Sequence, residues 1–258
     1  MGSTSADAAN CCDRINHIIM AFLLFAITGW SGAIASLLIP IQTMKFYQRT
    51  GLGDSTTYMG GPLLLLLLQG LCQGNGMAPA GWTMIAAVLM HCYKREGFGA
   101  TLVTPISGLL IEFLGTMFVD DTDLYVMGDN LRSSEQVYQE MQDSLYVWGD
   151  LLLCTGGALK PETCFWYLVD YECVDGEWQY KPTVDWEMMV SVPDGPDALI
   201  KQKDVHACEE TLGVWSCPAG SEDKQYKKIT DRVEKWTSRT SNGHLPVRYA
   251  WVSYKLKL

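Results

Sequence analysis

Apolar residues are distributed unevenly along this chain. From Ile15 to Met44, and again from Ser55 to Tyr93, they crowd into stretches holding no Asp, Glu, Lys or Arg. Around 115–127 and 165–180 they form short β-prone runs separated by turn residues. Past Ser133 and past Ser221 they recur at helical spacing. The run Gly115–Val119 and the run Leu124–Met127 read as two strands of a hairpin with Asp120 and Asp121 at its tip. Ser5 to Arg14 reads as the end of a strand, a turn, and a helix whose first turn holds Asp13, where a negative charge suits the helix dipole. The first charge-free stretch predicts a buried core helix, interrupted by Gly29-Trp30-Ser31-Gly32 and Pro40. The second predicts a buried strand at Leu63–Leu68, then a small-residue loop from Gln73 to Trp82 and a helix over Thr83–Tyr93. Between them, Met44–Ser55 predicts a short strand and a hairpin turn.

The second half alternates more often. Ser133–Trp148 predicts a helix with a serine N-cap and Val137, Met141, Leu145 and Trp148 on one face. Leu151–Leu153 is strand-like and runs into a Gly156-Gly157 loop. Phe165–Glu172 predicts a strand, and Asp175-Gly176 a hairpin to Trp178–Tyr180. Residues 181–205 read as irregular chain with short strands, and Leu212–Trp215 as a strand. From Ser221 a helix places Ile229, Val233 and Trp236 on its apolar face and Lys224, Lys227, Lys228, Arg232, Lys235 and Arg239 largely outward. A second helix is expected from near Leu245 to the end.

Charge changes the picture more than length does. The 258 residues carry a net charge of −10, which taken whole disfavours a nucleic-acid partner. The distribution is uneven: residues 1–119 balance, residues 120–221 sum to −15, and residues 222–258 sum to +5. An acidic middle and a basic end suit a metal-binding region beside a phosphate-contacting one. Nine cysteines without a C-x-x-C pair, behind a small and polar Met1–Asn10, fit an intracellular, reducing setting and no secretion.

Adjacent carboxylates at a hairpin tip need a reason. Two charges about 4 Å apart repel by roughly 4 kcal/mol at an effective dielectric of 20. Water, protonation of one acid, or a divalent cation relieves that repulsion. Asp13 is explained by its helix; Asp7, at the end of a strand, has no such local explanation. The loop from Gln73 lacks the Lys-Ser/Thr of a Walker phosphate loop, so nucleotide binding of that type is excluded.

Taken in order, Asp7 with Asp13, Gln73-Gly74 with Pro79, and Phe118-Val119-Asp120-Asp121 resemble the palm motifs of a reverse transcriptase, most like those of non-LTR retroelements. The resemblance implies an α+β fold: a polymerase palm with an antiparallel sheet backed by helices over 1–218, and the beginning of a helical thumb over 219–258. A partial fingers-derived segment falls at about 42–62, and the basic fingers region is expected to be missing. By the same resemblance Asp7, Asp120 and Asp121 bind two Mg2+ ions, with Mn2+ as a substitute. Asp7 and Asp120 are expected to be the obligatory ligands, with Asp121 assisting. Cys12, Gln73, Gly74, Pro79 and Lys160 contact template or nucleotide, and Leu212-Gly213-Val214 grips the primer. Cys12 stands where the family usually has an aromatic residue, and Thr163 where it often has a lysine. The implied partners are a primed RNA or DNA template and deoxynucleoside triphosphates, in nucleus or cytoplasm, with weak or no turnover expected. Two other readings compete: a non-catalytic nucleic-acid-binding remnant using the basic end, and a multi-pass membrane protein through residues 15–93.

Overall fold

The computed structural model of the chain describes residues 1–9, 11–60, 70–71, 76–128, 132–193, 195–211 and 213–243. The expected strand at Leu63–Leu68, the helix from Leu245, and Gln73, Gly74 and Leu212 lie outside those residues. In order, the elements are β1 (Gly2–Asp7), α1 (Cys11–Arg14), α2 (His17–Thr28), α3 (Ser31–Thr43), β2 (Lys45–Thr50), β3 (Gly53–Gly60), α4 (Ala78–Arg95), β4 (Ala100–Val103), β5 (Leu110–Phe113), β6 (Gly115–Phe118) and β7 (Asp121–Val126). There follow α5 (Ser134–Cys154), β8 (Phe165–Leu168), β9 (Tyr171–Val174), β10 (Glu177–Tyr180), β11 (Met188–Val190), β12 (Ala198–Gln202), β13 (Glu209–Thr211), β14 (Val214–Ser216) and α6 (Asp223–Asn242).

The fold is α+β, organised on a six-stranded sheet in the order β11-β12-β8-β1-β7-β6. The sheet is mixed, which corrects the all-antiparallel expectation: β12 runs parallel to β8, with Lys201 opposite Phe165. The excursion through β9, β10 and β11 lets the chain re-enter in the same direction. β1 lies inside the sheet, flanked by β7 and β8, both antiparallel to it.

One face of the sheet is covered. Along β1 and β7 burial alternates, so Thr4, Ala6, Thr122, Leu124 and Val126 are buried while Ser3, Ser5, Asp7, Asp121, Asp123 and Tyr125 are half-buried. α5 packs across β1, β7 and β11, and α4 packs on α5. Trp148, Trp166, Tyr93, Met141 and Leu145 form the fully buried centre between sheet and helices. A Cβ added at Gly2 would lie 2.0 Å from Met141 Sδ, a measure of how closely β1 approaches α5.

Helix boundaries follow local chemistry. α5 begins at a capping box in which Ser133 accepts from Gln136 N–H and the Gln136 side chain accepts from Ser133 N–H. It runs on to Cys154, so Leu151–Leu153 is the last turn of a helix rather than a strand; three leucines suit either period. α4 begins at Ala78, before Thr83, because Pro79 sits in its first turn, where a missing N–H does no harm. The first charge-free stretch is not one helix. α2 stops at Gly29, whose left-handed backbone (φ 62°) lets its N–H close on Phe25 O, and α3 turns back from Ser31. Among the described residues no helix is long and apolar enough to cross a membrane.

Candidate functional site

The end of β1 and the β6–β7 hairpin meet at one edge of the open sheet face. Asp7 stands directly opposite Asp121, Ser5 opposite Asp123, and Ala8 N–H continues the ladder to Asp120 O at 3.1 Å. Asp7 and the acidic hairpin, 113 positions apart at their nearest acid, are therefore register neighbours. β7 starts at Asp121, so the hairpin tip is Val119-Asp120 and the two acids differ in setting: Asp121 is held in a strand, Asp120 in the turn.

Val119 has φ 55°, a left-handed backbone that a β-branched residue adopts only under constraint. Such a conformation costs of order 1–3 kcal/mol and persists where the surroundings over-determine it. The constraint is visible: the indole N–H of Trp82, a buried residue of α4, donates to Val119 O. Nothing in the spacing of Trp82 distinguishes it from an ordinary core tryptophan, and the sequence reading missed it.

Asp7 is held from three sides by the segment between α5 and β8. Lys160 N–H donates to Asp7 O at 2.9 Å, and Asp7 N–H donates to Cys164 Sγ at 3.4 Å. Thr163 Oγ1 donates to Asp7 Oδ2 at 2.6 Å. Cys164 is buried, and desolvation first of all pushes its thiol up to about 11, so it serves as a neutral support. Lys160 is exposed, and its described part in the site is its backbone.

The turn after β1 is pinned by two loops. Leu71 N–H donates to Cys12 O at 2.6 Å and Gly70 N–H to Ile15 O at 3.0 Å; on the other side Asn16 N–H donates to Thr155 O at 2.9 Å and Ala9 N–H to Ala158 O at 2.8 Å. Gly156 explains the Gly-Gly loop. Its φ is +90° and a Cβ there would lie 2.5 Å from Arg14 O, so only glycine allows the approach. Cys12 is buried with its Sγ 3.7 Å from Cys11 Sγ. Burial raises its pKa first of all, with Asp120 a smaller contributor. Cys12 stands in the short helix α1 that follows the end of β1. Pro79 is exposed on the first turn of α4.

The carboxylates repel one another. Asp121 is held above the ordinary carboxyl range by burial first, then by the charges of Asp120, Asp7 and Asp123. Asp123 is raised by burial, with hydrogen bonds from Ser5 and Thr116 acting the other way. Among the described residues no three His, Cys, Asp or Glu side chains are gathered in a metal-ligand arrangement. The donor chemistry nevertheless suits a hard divalent cation: Asp7 and Asp121 offer carboxylate oxygens from paired strands, Asp120 adjoins them, and their repulsion falls if positive charge enters.

A cleft of about 780 Å³ opens from Asp7 and Asp121 across the sheet face. It passes Thr163 and Phe165 and ends between Lys201, Lys203 and the β13–β14 hairpin with Trp215. Lys203 Nζ pairs with Glu209 at 2.5 Å and lies 5.9 Å from the Phe165 ring centre. Gly213 (φ 80°) makes the hairpin turn; its carbonyl accepts from Lys228 of α6 at 3.1 Å, and Val214 beside it is exposed. Lys224 of α6 stands 4.7 Å from the Trp215 ring centre. The structure therefore brings Asp7, Asp120, Asp121, Cys12 and the 160–164 turn to one end of the sheet, while Gly213 and Val214 belong to the hairpin whose Thr211 and Trp215 line the far end of the cleft. Lys201, Lys203 and Trp215 were not singled out from the sequence. They sit in stretches whose composition is that of any exposed strand. No family model and no curated protein matches the chain.

Proposed function

We propose that the chain is the palm of an RNA-directed DNA polymerase with the beginning of a thumb, and that the site at the end of β1 performs phosphoryl transfer onto a primer 3′ end. The observation that supports this most directly is the register pairing of Asp7 with Asp121 beside the Val119-Asp120 turn. Two-metal transfer requires carboxylates from separate strands brought within reach of two cations about 3.5–4 Å apart. Asp7, Asp120 and Asp121 are the residues that would hold Mg2+ or Mn2+. Bound there, the ions would supply Lewis acidity toward the attacking oxygen and the departing pyrophosphate.

The chain's own residues do the positioning. Thr163 and the backbone of Lys160 hold Asp7, Trp82 holds the turn that carries Asp120, and the open cleft admits the primed template toward the β13–β14 hairpin. Cys12, small and buried in the helix after β1, leaves more room beside the nucleotide sugar than an aromatic residue would. α6 carries Lys224, Lys227, Lys228, Arg232, Lys235 and Arg239 and has no buried residue, which suits contact with template phosphates.

The test is extension of a DNA primer on an RNA template by the chain, in Mg2+ and in Mn2+, beside Asp7→Asn and Asp120→Asn. Slow incorporation lost in both variants is the expected result; undiminished extension by Asp120→Asn overturns the assignment. The basic surface of α6 also favours a second reading, a non-catalytic nucleic-acid binder. Salt-sensitive binding of the primed template that survives both substitutions, without incorporation by the unmodified chain, selects that reading instead.

A further inference from the structure

The turn between α5 and β8 does more than connect them. We infer that Thr163 is a positioning residue for Asp7: its hydroxyl fixes which carboxylate oxygen faces the cation, and so sets the metal affinity and the preference between Mg2+ and Mn2+. This role rests on the two-metal reading of the site.

The geometry is specific. Thr163 Oγ1 lies 2.6 Å from Asp7 Oδ2 and 3.0 Å from Lys160 O, and the hydroxyl has a single proton to give. The carboxylate is the stronger acceptor and the nearer one, so the proton goes to Asp7. Lys160 N–H on Asp7 O and Asp7 N–H on Cys164 Sγ hold the main chain of Asp7 against the same turn. Backbone and side chain of Asp7 are thus fastened to one five-residue segment, 160–164. Oδ2 is engaged by the hydroxyl, and among the described residues no hydrogen bond reaches Oδ1, so Oδ1 is the freer oxygen of an acid that lines the cleft.

A single presented oxygen matters most for the more demanding ion. Mg2+ requires near-ideal octahedral geometry at short distances and keeps much of its water, whereas a site with loosely held carboxylates penalises it most. A threonine hydroxyl does this without a charge. A lysine at 163 would place a cation beside Asp7 and compete with the metal for the same oxygens. The segment therefore supplies orientation where a basic residue would supply charge.

The experiment compares the unmodified chain with Thr163→Val, Thr163→Ser and Asp7→Asn. Mn2+ binding is read by loss of the free-ion electron paramagnetic resonance signal, and Mg2+ affinity by competition against bound Mn2+. Thermal melting is recorded for each protein to separate a loosened turn from a changed site. Thr163→Val nearly preserves shape and removes the donor. It is expected to weaken Mn2+ binding about threefold to tenfold, as loss of one typical hydrogen bond in a solvent-exposed setting does, and to weaken Mg2+ binding more. Thr163→Ser is expected to restore both affinities even if it melts lower, since it keeps the hydroxyl. Asp7→Asn is expected to lose the site. Thr163→Val with unmodified affinities, while Asp7→Asn has lost binding, overturns the Thr163 role alone. Mn2+ uptake that is absent from the unmodified chain, or indifferent to Asp7→Asn, overturns both this role and the polymerase reading. An equal fall in both affinities for the valine and serine variants, tracking their melting temperatures, also overturns it by showing a merely structural turn.

Discussion

Trp82→Phe isolates the contact that holds the acidic turn. The substitution keeps most of the buried ring area and removes only the indole N–H that donates to Val119 O. Val119 is half-buried, so water replaces part of the lost bond, and the net loss is about 1–2 kcal/mol. For a chain of this size that corresponds to a fall in melting temperature of about 2–8 °C. The more informative measurement is the cycle with Val119→Gly. Glycine removes a left-handed penalty of roughly 1–2 kcal/mol at φ 55° but forfeits up to about 1 kcal/mol of side-chain contact with the core, so alone it is close to neutral. If the indole holds the turn in its constrained shape, the turn stands without help once residue 119 is glycine. Trp82→Phe should then cost about 0.5–1 kcal/mol less in the Val119→Gly background than in the wild type, measured by urea unfolding. Costs that are the same in both backgrounds, within about 0.3 kcal/mol, would refute the link between α4 and the turn.

Three further outcomes are expected. Asp121→Asn should stabilise the metal-free protein by up to about 1 kcal/mol near pH 7, after discounting for solvent screening. The folded state raises the pKa of Asp121, so the wild type loses stability as pH rises from about 4, the unfolded carboxyl value, through the higher folded one. The advantage of the variant should therefore vanish near pH 4, and melts that differ equally at both pH values would contradict the repulsion. Added Mg2+ should narrow the same gap at pH 7 by stabilising the wild type more than the variant. Gly156→Ala and Gly176→Ala form a matched pair, with φ +90° and +85°. The first meets Arg14 O at 2.5 Å and should cost more than about 2 kcal/mol, whereas the second meets nothing within 4 Å and should cost about 1 kcal/mol. Equal urea midpoints for the two would show that backbone conformation alone, without the close approach, decides.

How much of this could be read beforehand depends on the kind of signal. The β6–β7 hairpin was legible because β-prone runs flank the acids, and the α5 start because an N-cap serine precedes apolar residues at helical spacing. The pairing of Asp7 with the hairpin came from the order of motifs, since no local pattern reports which strands adjoin. The turn itself was placed one residue late: β7 begins at Asp121, because Thr122, Leu124 and Val126 supply the buried alternation that draws Asp121 into the strand. Leu151–Leu153 misled because a short apolar run has no measurable period. The parallel entry of β12, the indole bond of Trp82 and the Thr163 hydroxyl depend on partners distant in sequence, and no spacing announces them. Thr163 was noticed only as a departure from a family pattern, and its partner Asp7 was visible only in three dimensions.

Residues 2–7 occupy an interior lane of the sheet, between residues 121–126 and 165–168. During synthesis that strand leaves the ribosome long before either neighbour exists. At about 5–20 residues per second the wait lasts roughly 10–30 s. Throughout it, the segment destined for the middle of the structure has no lane to enter, while the charge-free stretch behind it is already outside. Folding of this chain is thus a late closure around residues 2–7, and the seam seals only once residues 165–168 have been made.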